Sequence, residues 1–258
     1  MHLARAALAE VVRHFEHHVE VASTNDRGMA LARDEQIALP ALVIADRQTA
    51  GRGRGANRWW SADGALTFSL VVNVAANAMP RERWPLVALT AGMAVCDALR
   101  PLAPSVPLAI KWPNDVYAAG RKLCGILVET PATPAGRVVI GIGVNVNNAF
   151  ATAPDDVRSR AASLVELSGR PHDLDAVLTA IVGELVDLLP TIAATPPAVV
   201  ERWPSYCLLT GQTVEAQTPA GTWIGLCQGL DADGALILRD EVGKRRCTTG
   251  TVVRWGPG

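Results

Sequence analysis

No CxxC or HExxH pair occurs in the sequence, which argues against a structural zinc site. The five cysteines (Cys96, Cys124, Cys207, Cys227 and Cys247) are odd in number and widely scattered. They read as reduced thiols in a cytoplasm, not as a disulfide framework. Neither sign of charge dominates: 24 Lys+Arg stand against 25 Asp+Glu, a net charge of -1. That balance argues against a chain that coats nucleic acid or an anionic membrane, and makes any basic patch local. A signal-peptide core is missing, because Arg5, Glu10, Arg13 and Glu16 interrupt the apolar residues of the N-terminal stretch. Leu86–Leu99, the most apolar long run, is too short for a membrane span and contains Thr90, Gly92 and Asp97. No internal repeat or low-complexity tract stands out. What the chain does have is apolar material for a full core, 49% of 258 residues.

The pattern of apolar and turn-forming residues predicts an amphipathic helix over residues 3–18. A short strand at Val19–Ala22 then runs into Ser23-Thr24-Asn25, a cap-like cluster opening a helix to about Arg33. Ala41–Ala45 and Ala65–Val74 read as strands, and Trp84–Leu99 as a buried helix. Three further strands are expected at Leu108–Trp112, Lys122–Glu129 and Val138–Val146, the first two joined by a turn at Ala118–Arg121. Helices follow at Asp173–Leu189 and from Pro197 to Trp203. The texture changes near Leu208. From there short β-rich runs (Thr213–Gln217, Thr222–Leu230, Ala235–Arg239, Arg245–Thr248 and Thr251–Trp255) are separated by turns at Pro219-Ala220-Gly221 and Asp231-Ala232-Asp233-Gly234. The expected fold is α+β: a mixed sheet with flanking helices over residues 1–207, then a small β-barrel over 208–258.

The most unusual segment is Gln48-Thr49-Ala50-Gly51-Arg52-Gly53-Arg54-Gly55-Ala56-Asn57-Arg58-Trp59-Trp60. Its glycines let the backbone wrap closely around a ligand, and Arg52, Arg54 and Arg58 suit phosphate or carboxylate oxygens. Trp59 offers a flat face on which a purine could stack. A solvated basic turn or an RGG-like RNA-binding patch fits the same residues. The segment is neither the GxxxxGK[ST] phosphate loop nor the strand–GxGxxG–helix of a dinucleotide fold. A second cluster is Lys111-Trp112-Pro113-Asn114-Asp115 with Lys122-Leu123-Cys124-Gly125-Ile126-Leu127-Val128-Glu129. A hairpin would bring Lys111, Lys122, Asn114 and Asp115 together, and Gly125 would let a ligand approach the backbone. Buried lysines there need an anion; an edge strand with a snorkelling lysine and an ordinary Asn-Asp turn is the alternative.

Read in order, these segments, with Ser23-Thr24-Asn25 and Gly141-Ile142-Gly143-Val144-Asn145-Val146-Asn147, resemble the motifs of biotin–protein ligases over about residues 20–150. The likeness continues more weakly to the C-terminus, where that family carries an SH3-like barrel. The resemblance implies ATP-dependent formation of biotinyl-5′-AMP, then transfer of biotin to a lysine of a biotin carboxyl carrier protein, with Mg²⁺ accompanying ATP. It places Ser23, Thr24 and Gln48 on the biotin ring, with Asn25, Gly51 and Gly125 in the same biotin site. Arg52, Gly53 and Arg54 match the loop that folds over biotin and the adenylate. Lys122 matches the lysine between the biotin carboxylate and the α-phosphate. Lys111, Asn114 and Asp115 match polar residues around the phosphates and metal. Trp59 matches a tryptophan packed on adenine, Asn145 lies at the nucleotide end, and Arg254 is similar in position to an arginine that reaches ATP. Ala56-Asn57 depart from the usual Gly-Arg of the loop. Only about twenty residues precede Ser23, so the chain looks like the ligase-only form without a winged DNA-binding domain.

The implied chemistry needs counter-charges for phosphoryl oxygens, supplied by Arg52, Arg54, Lys111, Lys122 and Mg²⁺, and a loop that excludes water from the anhydride. Asp115 is the candidate to take a proton from the acceptor lysine or to orient it. His14, His17 and His18 read as a solvated helix face, Cys124 as a buried thiol, and the Arg158–Arg160 region as a surface loop. Homodimerisation through the Val138–Val146 strand edge is allowed, since some relatives do this. A lipoate or octanoate–protein ligase and a non-catalytic biotin sensor are the competing readings; the Arg/Gly/His-rich motif of the former is not found here.

Overall fold

A computed structural model describes residues 2–74, 85–194 and 196–257. Trp84, where the expected buried helix begins, lies outside the described residues. The first unit is built on a seven-stranded sheet. Its strands are β1 (His14–Val21), β2 (Ala41–Gln48), β3 (Leu66–Asn73), β4 (Leu108–Lys111), β5 (Asp115–Ala118), β6 (Arg121–Glu129) and β7 (Arg137–Val144). The spatial order is β1-β2-β3-β7-β6-β5-β4. Only β1 and β2 pair in parallel, so the sheet is mixed.

Strand alternation divides this sheet between two environments. Leu42 and Ile44 of β2, Phe68 and Leu70 of β3, and Ile140 and Ile142 of β7 point into the main core. There they meet α3 (Pro85–Leu102) and α6 (Leu174–Ala194), with α1 (His2–Ala7) and α7 (Pro196–Arg202) nearby. Ala41, Val43, Val71 and Val139 point the other way and pack under α2 (Thr24–Arg33) in a smaller core with Leu31 and Ala32. α2 covers only part of that second face. α3 is long and apolar enough to cross a membrane by composition, but its residues are mostly buried against α6 and the sheet.

The second unit is a five-stranded antiparallel SH3-like sheet of β8 (Thr213–Thr218), β9 (Gly221–Leu230), β10 (Leu236–Arg239), β11 (Lys244–Cys247) and β12 (Thr251–Gly256), in the order β11-β10-β9-β8-β12. Its apolar interior is continuous with the main core. Buried Trp112 donates its indole N–H to Gly234 O at 3.0 Å, pinning the β9–β10 turn to the first unit.

Four expectations are corrected. The segment predicted as one helix over 3–18 is α1 followed by β1. β1 is an edge strand rich in polar residues, and its pairing with β2 outweighs local helical preference. His14 and His18 therefore share a strand face, each 3.0 Å from Glu16, which also receives Arg27. A short strand, β5, was not expected; the turn at Ala118–Arg121 joins β5 to β6, not β4 to β6. β7 lies between β3 and β6, so both its edges are hydrogen-bonded and it offers no edge for a second copy. The Arg158–Arg160 region, read as a surface loop, begins on the last residue of a short helix, α4 (Asp155–Arg158), and a further short helix, α5 (Leu164–Ser168), follows.

Replacing Trp112 by Phe keeps the apolar bulk and removes the donor to Gly234. The expected loss is about 1–3 kcal/mol, the cost of an unsatisfied buried acceptor, read as a lower midpoint in urea. An unchanged midpoint would show that the indole bond does not hold the units together.

Candidate active site

The uncovered part of the second sheet face is a row set by strand register. Lys111 pairs with Asp115, Asp115 with Gly125, Gly125 with Gly143, and Gly143 with Thr67. The centre of this row carries no side chains. A Cβ on Gly143 would lie 2.3 Å from Trp59 Cε2, and one on Gly141 would lie 2.0 Å from Asn25 Oδ1. The two glycines thus make room for Trp59 and Asn25 on the floor. A β-bulge adds Lys122 to this face. Val116 pairs with Cys124 and Tyr117 with Lys122, so Leu123 is the extra residue. Leu123 and Cys124 both enter the core, and Lys122 turns back toward Gly125, where its Nζ would lie 3.2 Å from an added Cβ.

Above the floor is a cavity of about 500 Å³. Its walls come from the start of α2, the 52–59 loop, the 111–115 turn and two barrel segments, 217–219 and 249–252. At one end Gln48 Oε1 accepts from the Thr24 backbone N–H at 2.8 Å and from its hydroxyl at 3.2 Å. Ser69 Oγ donates to Asn25 Oδ1 at 2.6 Å and lies 2.9 Å from Thr24 Oγ1. Asn25 Nδ2 donates to Glu129 Oε2 at 2.9 Å. Ser23 is buried beside them. This network fixes the direction of the donors and acceptors that face the cavity.

The Gly/Arg segment is a small hairpin. Arg52 bridges Arg58, Gly53 N–H donates to Asn57 O at 2.8 Å, and Trp59 N–H donates to Gly51 O at 3.0 Å. Gly55 has φ 61°, a left-handed conformation that glycine adopts freely. The turn is closed by Asn57, whose Nδ2 donates to Arg54 O at 3.0 Å. The departure at Ala56-Asn57 is thus accommodated by a side chain that stabilises the turn itself. Arg52 lies outside the turn, 2.5 Å and 2.9 Å from Glu129 and 2.9 Å from Asp26, so its charge is already answered by two carboxylates.

The cavity lining carries Arg52, Arg54, Arg58, Lys111 and Lys122 against a single carboxylate, Asp115. Lys122 Nζ is 2.7 Å from Asp115 Oδ1, an ion-pair contact without the alignment of a hydrogen bond. Arg54 reaches across to donate to Gly250 O of the barrel at 3.2 Å and lies 3.5 Å from Asn114 Oδ1. Asn114 in turn donates to Ile126 O at 2.6 Å. Burial pulls the Arg54 guanidinium below its ordinary pKa, with Asp115 opposing. Burial likewise lowers the Lys111 pKa, again opposed by Asp115. A surplus of desolvated positive charge over one carboxylate is a site for a polyanion. Cys124 is fully buried and its pKa is pushed up, so it stays a neutral thiol. Among the described residues, no group of three His, Cys, Asp or Glu side chains could hold a metal ion.

Most of the residues singled out from the sequence gather here: Ser23, Thr24, Asn25, Gln48, Arg52, Gly53, Arg54, Trp59, Lys111, Asn114, Asp115, Lys122 and Gly125 all line the cavity. Gly51 lies just beneath, where a Cβ would be 2.6 Å from Trp59 O. Two do not line it. Asn145 is buried and accepts from Asn148 Nδ2 at 3.1 Å, holding the turn after β7. The Arg254 side chain is 84% exposed and faces Glu215 on the barrel's outer side. A register shift between Val252 and Arg254 leaves Arg254 outside and brings its neighbour Trp255 to Tyr117. Ser69, Glu129, Tyr117 and Trp255 were not singled out. Ser69 had a signal: Thr67 and Ser69 are polar at strand spacing within an otherwise apolar run.

Residues 20–145 match the Biotin/lipoate A/B protein ligase family, and residues 209–255 match the Biotin protein ligase C terminal domain. The chain is 34% identical over 229 residues to the biotin–[acetyl-CoA-carboxylase] ligase of Mycobacterium tuberculosis, covering 88% of this chain and 82% of that protein. It is 35% identical over 212 residues to the bifunctional ligase/repressor BirA of Bacillus spizizenii, covering 80% of this chain and 63% of that protein's length. The biotin protein ligase from Aquifex aeolicus in complex with biotin and ATP superposes with a TM-score of 0.79 at 27% identity, covering 95% of this chain and 100% of that one. By fold, site and sequence, the chain belongs to the biotin–protein ligases, a family of enzymes.

Proposed function

We propose that this chain joins biotin to ATP as biotinyl-5′-AMP and passes the biotinyl group to a lysine of a biotin carboxyl carrier protein in the cytoplasm. The observation that carries this reading is the meeting, in one cavity of about 500 Å³, of a hydrogen-bonding end and a cationic end across a glycine floor. An uncharged polar head would sit by Thr24 and Gln48, and a carboxylate with phosphates by Lys122, Lys111 and Arg54. The fixed donors and acceptors at the first end suit a ureido ring and have no counterpart in a lipoyl dithiolane, which favours biotin over lipoate. Residues 1–207 would carry the reaction, with 208–258 closing the cationic end.

In the first step the biotin carboxylate attacks the α-phosphate and pyrophosphate leaves. Negative charge gathers on phosphoryl oxygens, where Lys122 is held by Asp115 and the partly buried Arg54 by Gly250 O. Asp115 with Asn114 fits Mg²⁺, since that ion is held beside nucleotides by one or two carboxylates plus phosphate oxygens. Bound there, it would supply Lewis-acid stabilisation of the phosphates. The 52–59 hairpin, tied to Glu129 by Arg52, covers the anhydride and limits its contact with water. In the second step Asp115 orients the incoming lysine or takes its proton.

Substituting Lys122 by Ala should lower biotin-dependent pyrophosphate release by about 100-fold or more, the usual cost of losing one preorganised group at developing charge. Retained release would remove Lys122 from the first step, and release without biotin in the unaltered protein would exclude the reaction itself. Arg54→Gly removes the link from the hairpin to Gly250. Activated biotin should then escape, labelling bystander proteins at least about tenfold more than the unaltered chain does, a loss of roughly 1.4 kcal/mol in retention. Equal bystander labelling would show that the hairpin does not retain the adenylate.

A further inference from the structure

The two lysines of the cavity are held in unlike ways. Lys122 faces a carboxylate, Asp115, at 2.7 Å. Lys111 has no carboxylate within ion-pair distance among the described residues. Its ammonium instead lies 4.8 Å from the ring centroid of Trp255 and 5.5 Å from that of Tyr117. The two rings meet edge to face, with centroids 5.6 Å apart and an interplanar angle of 88°. Tyr117 is fixed by the strand register that also places Lys122, and Trp255 arrives from the barrel through the register shift in β12.

We propose that Trp255 and Tyr117 form an aromatic clamp that positions the Lys111 ammonium for an anionic group of the nucleotide, making Trp255 of the barrel a positioning residue for ATP. This rests on the ligase reading above and deepens it. A carboxylate partner would occupy the N–H donors and cancel the charge. Ring faces attract the cation without accepting strong hydrogen bonds, so the donors stay available to phosphate oxygens. The other charged groups acting on Lys111 are Asp115, which opposes its desolvation, and Lys122 and Arg160, which repel it. Tyr117 contributes its ring and not a phenolate, since burial and Asp115 push its pKa up to about 12. The clamp therefore leaves the Lys111 charge, like that of Arg54 beside Gly250 O, without a carboxylate until the polyanion arrives. It also makes nucleotide affinity depend on the seating of the barrel.

The test is calorimetric binding of ATP and, separately, of biotin to Trp255→Leu and Trp255→Phe, each checked by its thermal melt, together with Trp255→Leu in a Lys111→Met background. Trp255→Leu should weaken ATP binding about fivefold and leave biotin binding unchanged. Trp255→Phe, which keeps a ring face, should stay within twofold of the unaltered chain. In the Lys111→Met background, Trp255→Leu should cost nothing further, because its effect passes through that ammonium. The proposal is overturned if Phe weakens ATP binding as much as Leu does, if ATP and biotin affinities fall together, or if the Leu substitution has its full effect without Lys111. Biotin-dependent pyrophosphate release by the unaltered chain is measured in parallel. Its absence would defeat the ligase reading, whereas the binding series decides the clamp.

Discussion

The site depends on a missing volume. Gly125 and Gly143 face each other across β6 and β7, and Gly141 continues the gap one step along β7. Any side chain at Gly141 or Gly143 would overlap Asn25 or Trp59. The same strands point Ile126, Ile140 and Ile142 the other way into the main core. One surface of the strand pair is therefore closely packed and the other stripped to backbone. The packed surface holds the sheet rigid, and the stripped one leaves a cavity between α2 and the barrel. A ligand bound there would lie on backbone whose position is set by the core beneath it, which favours fixed geometry over induced fit.

Charge in the cavity is arranged by how each cation is compensated. Arg52 is spent on Glu129 and Asp26 and acts as a tether for its hairpin. Lys122 is half answered by Asp115, a partner that also lines the cavity. Arg54 has only neutral oxygens, Gly250 O and Asn114 Oδ1. Lys111 has only rings. The gradient runs from full compensation at the hairpin base to none under the barrel. A polyanion with its most charged end toward the barrel gains most from this order, because desolvated charges lacking a partner have the most to gain from an arriving one.

Much of this was legible in the sequence, and what was not has identifiable causes. The barrel strands were visible because turn residues punctuate them closely. The Gly/Arg segment and the Lys111–Asp115 and Lys122–Glu129 segments were visible because glycine and lysine are out of place in apolar runs. β1 was hidden because a solvated edge strand such as HFEHHVEV has too few apolar residues to show a strand period, so pairing with β2 decides it. β5 was hidden by its length, since a short strand between two turns has no period to read. Asn145 and Arg254 sit in or beside matching motifs, but linear position does not specify side-chain direction. In β12 a single register shift exchanges Arg254 for Trp255. Ser69 and Glu129 reach the site only through pairing across strands distant in sequence, which no local pattern records.

The barrel then has two ties of different kinds to the first unit. The bond from Trp112 to Gly234 and the shared apolar interior are structural, buried and independent of any ligand. The contacts of Arg54 with Gly250 and of Lys111 with Trp255 lie on the cavity wall and involve charges without a carboxylate partner. Occupation of the cavity by phosphates would strengthen the second kind without touching the first. Since both cations contact the barrel and face the same cavity, a ligand that engages them favours the seated arrangement, and by linkage a well-seated barrel favours the ligand. The small C-terminal unit is thus coupled to the cationic end of the site by the same side chains that give that end its charge.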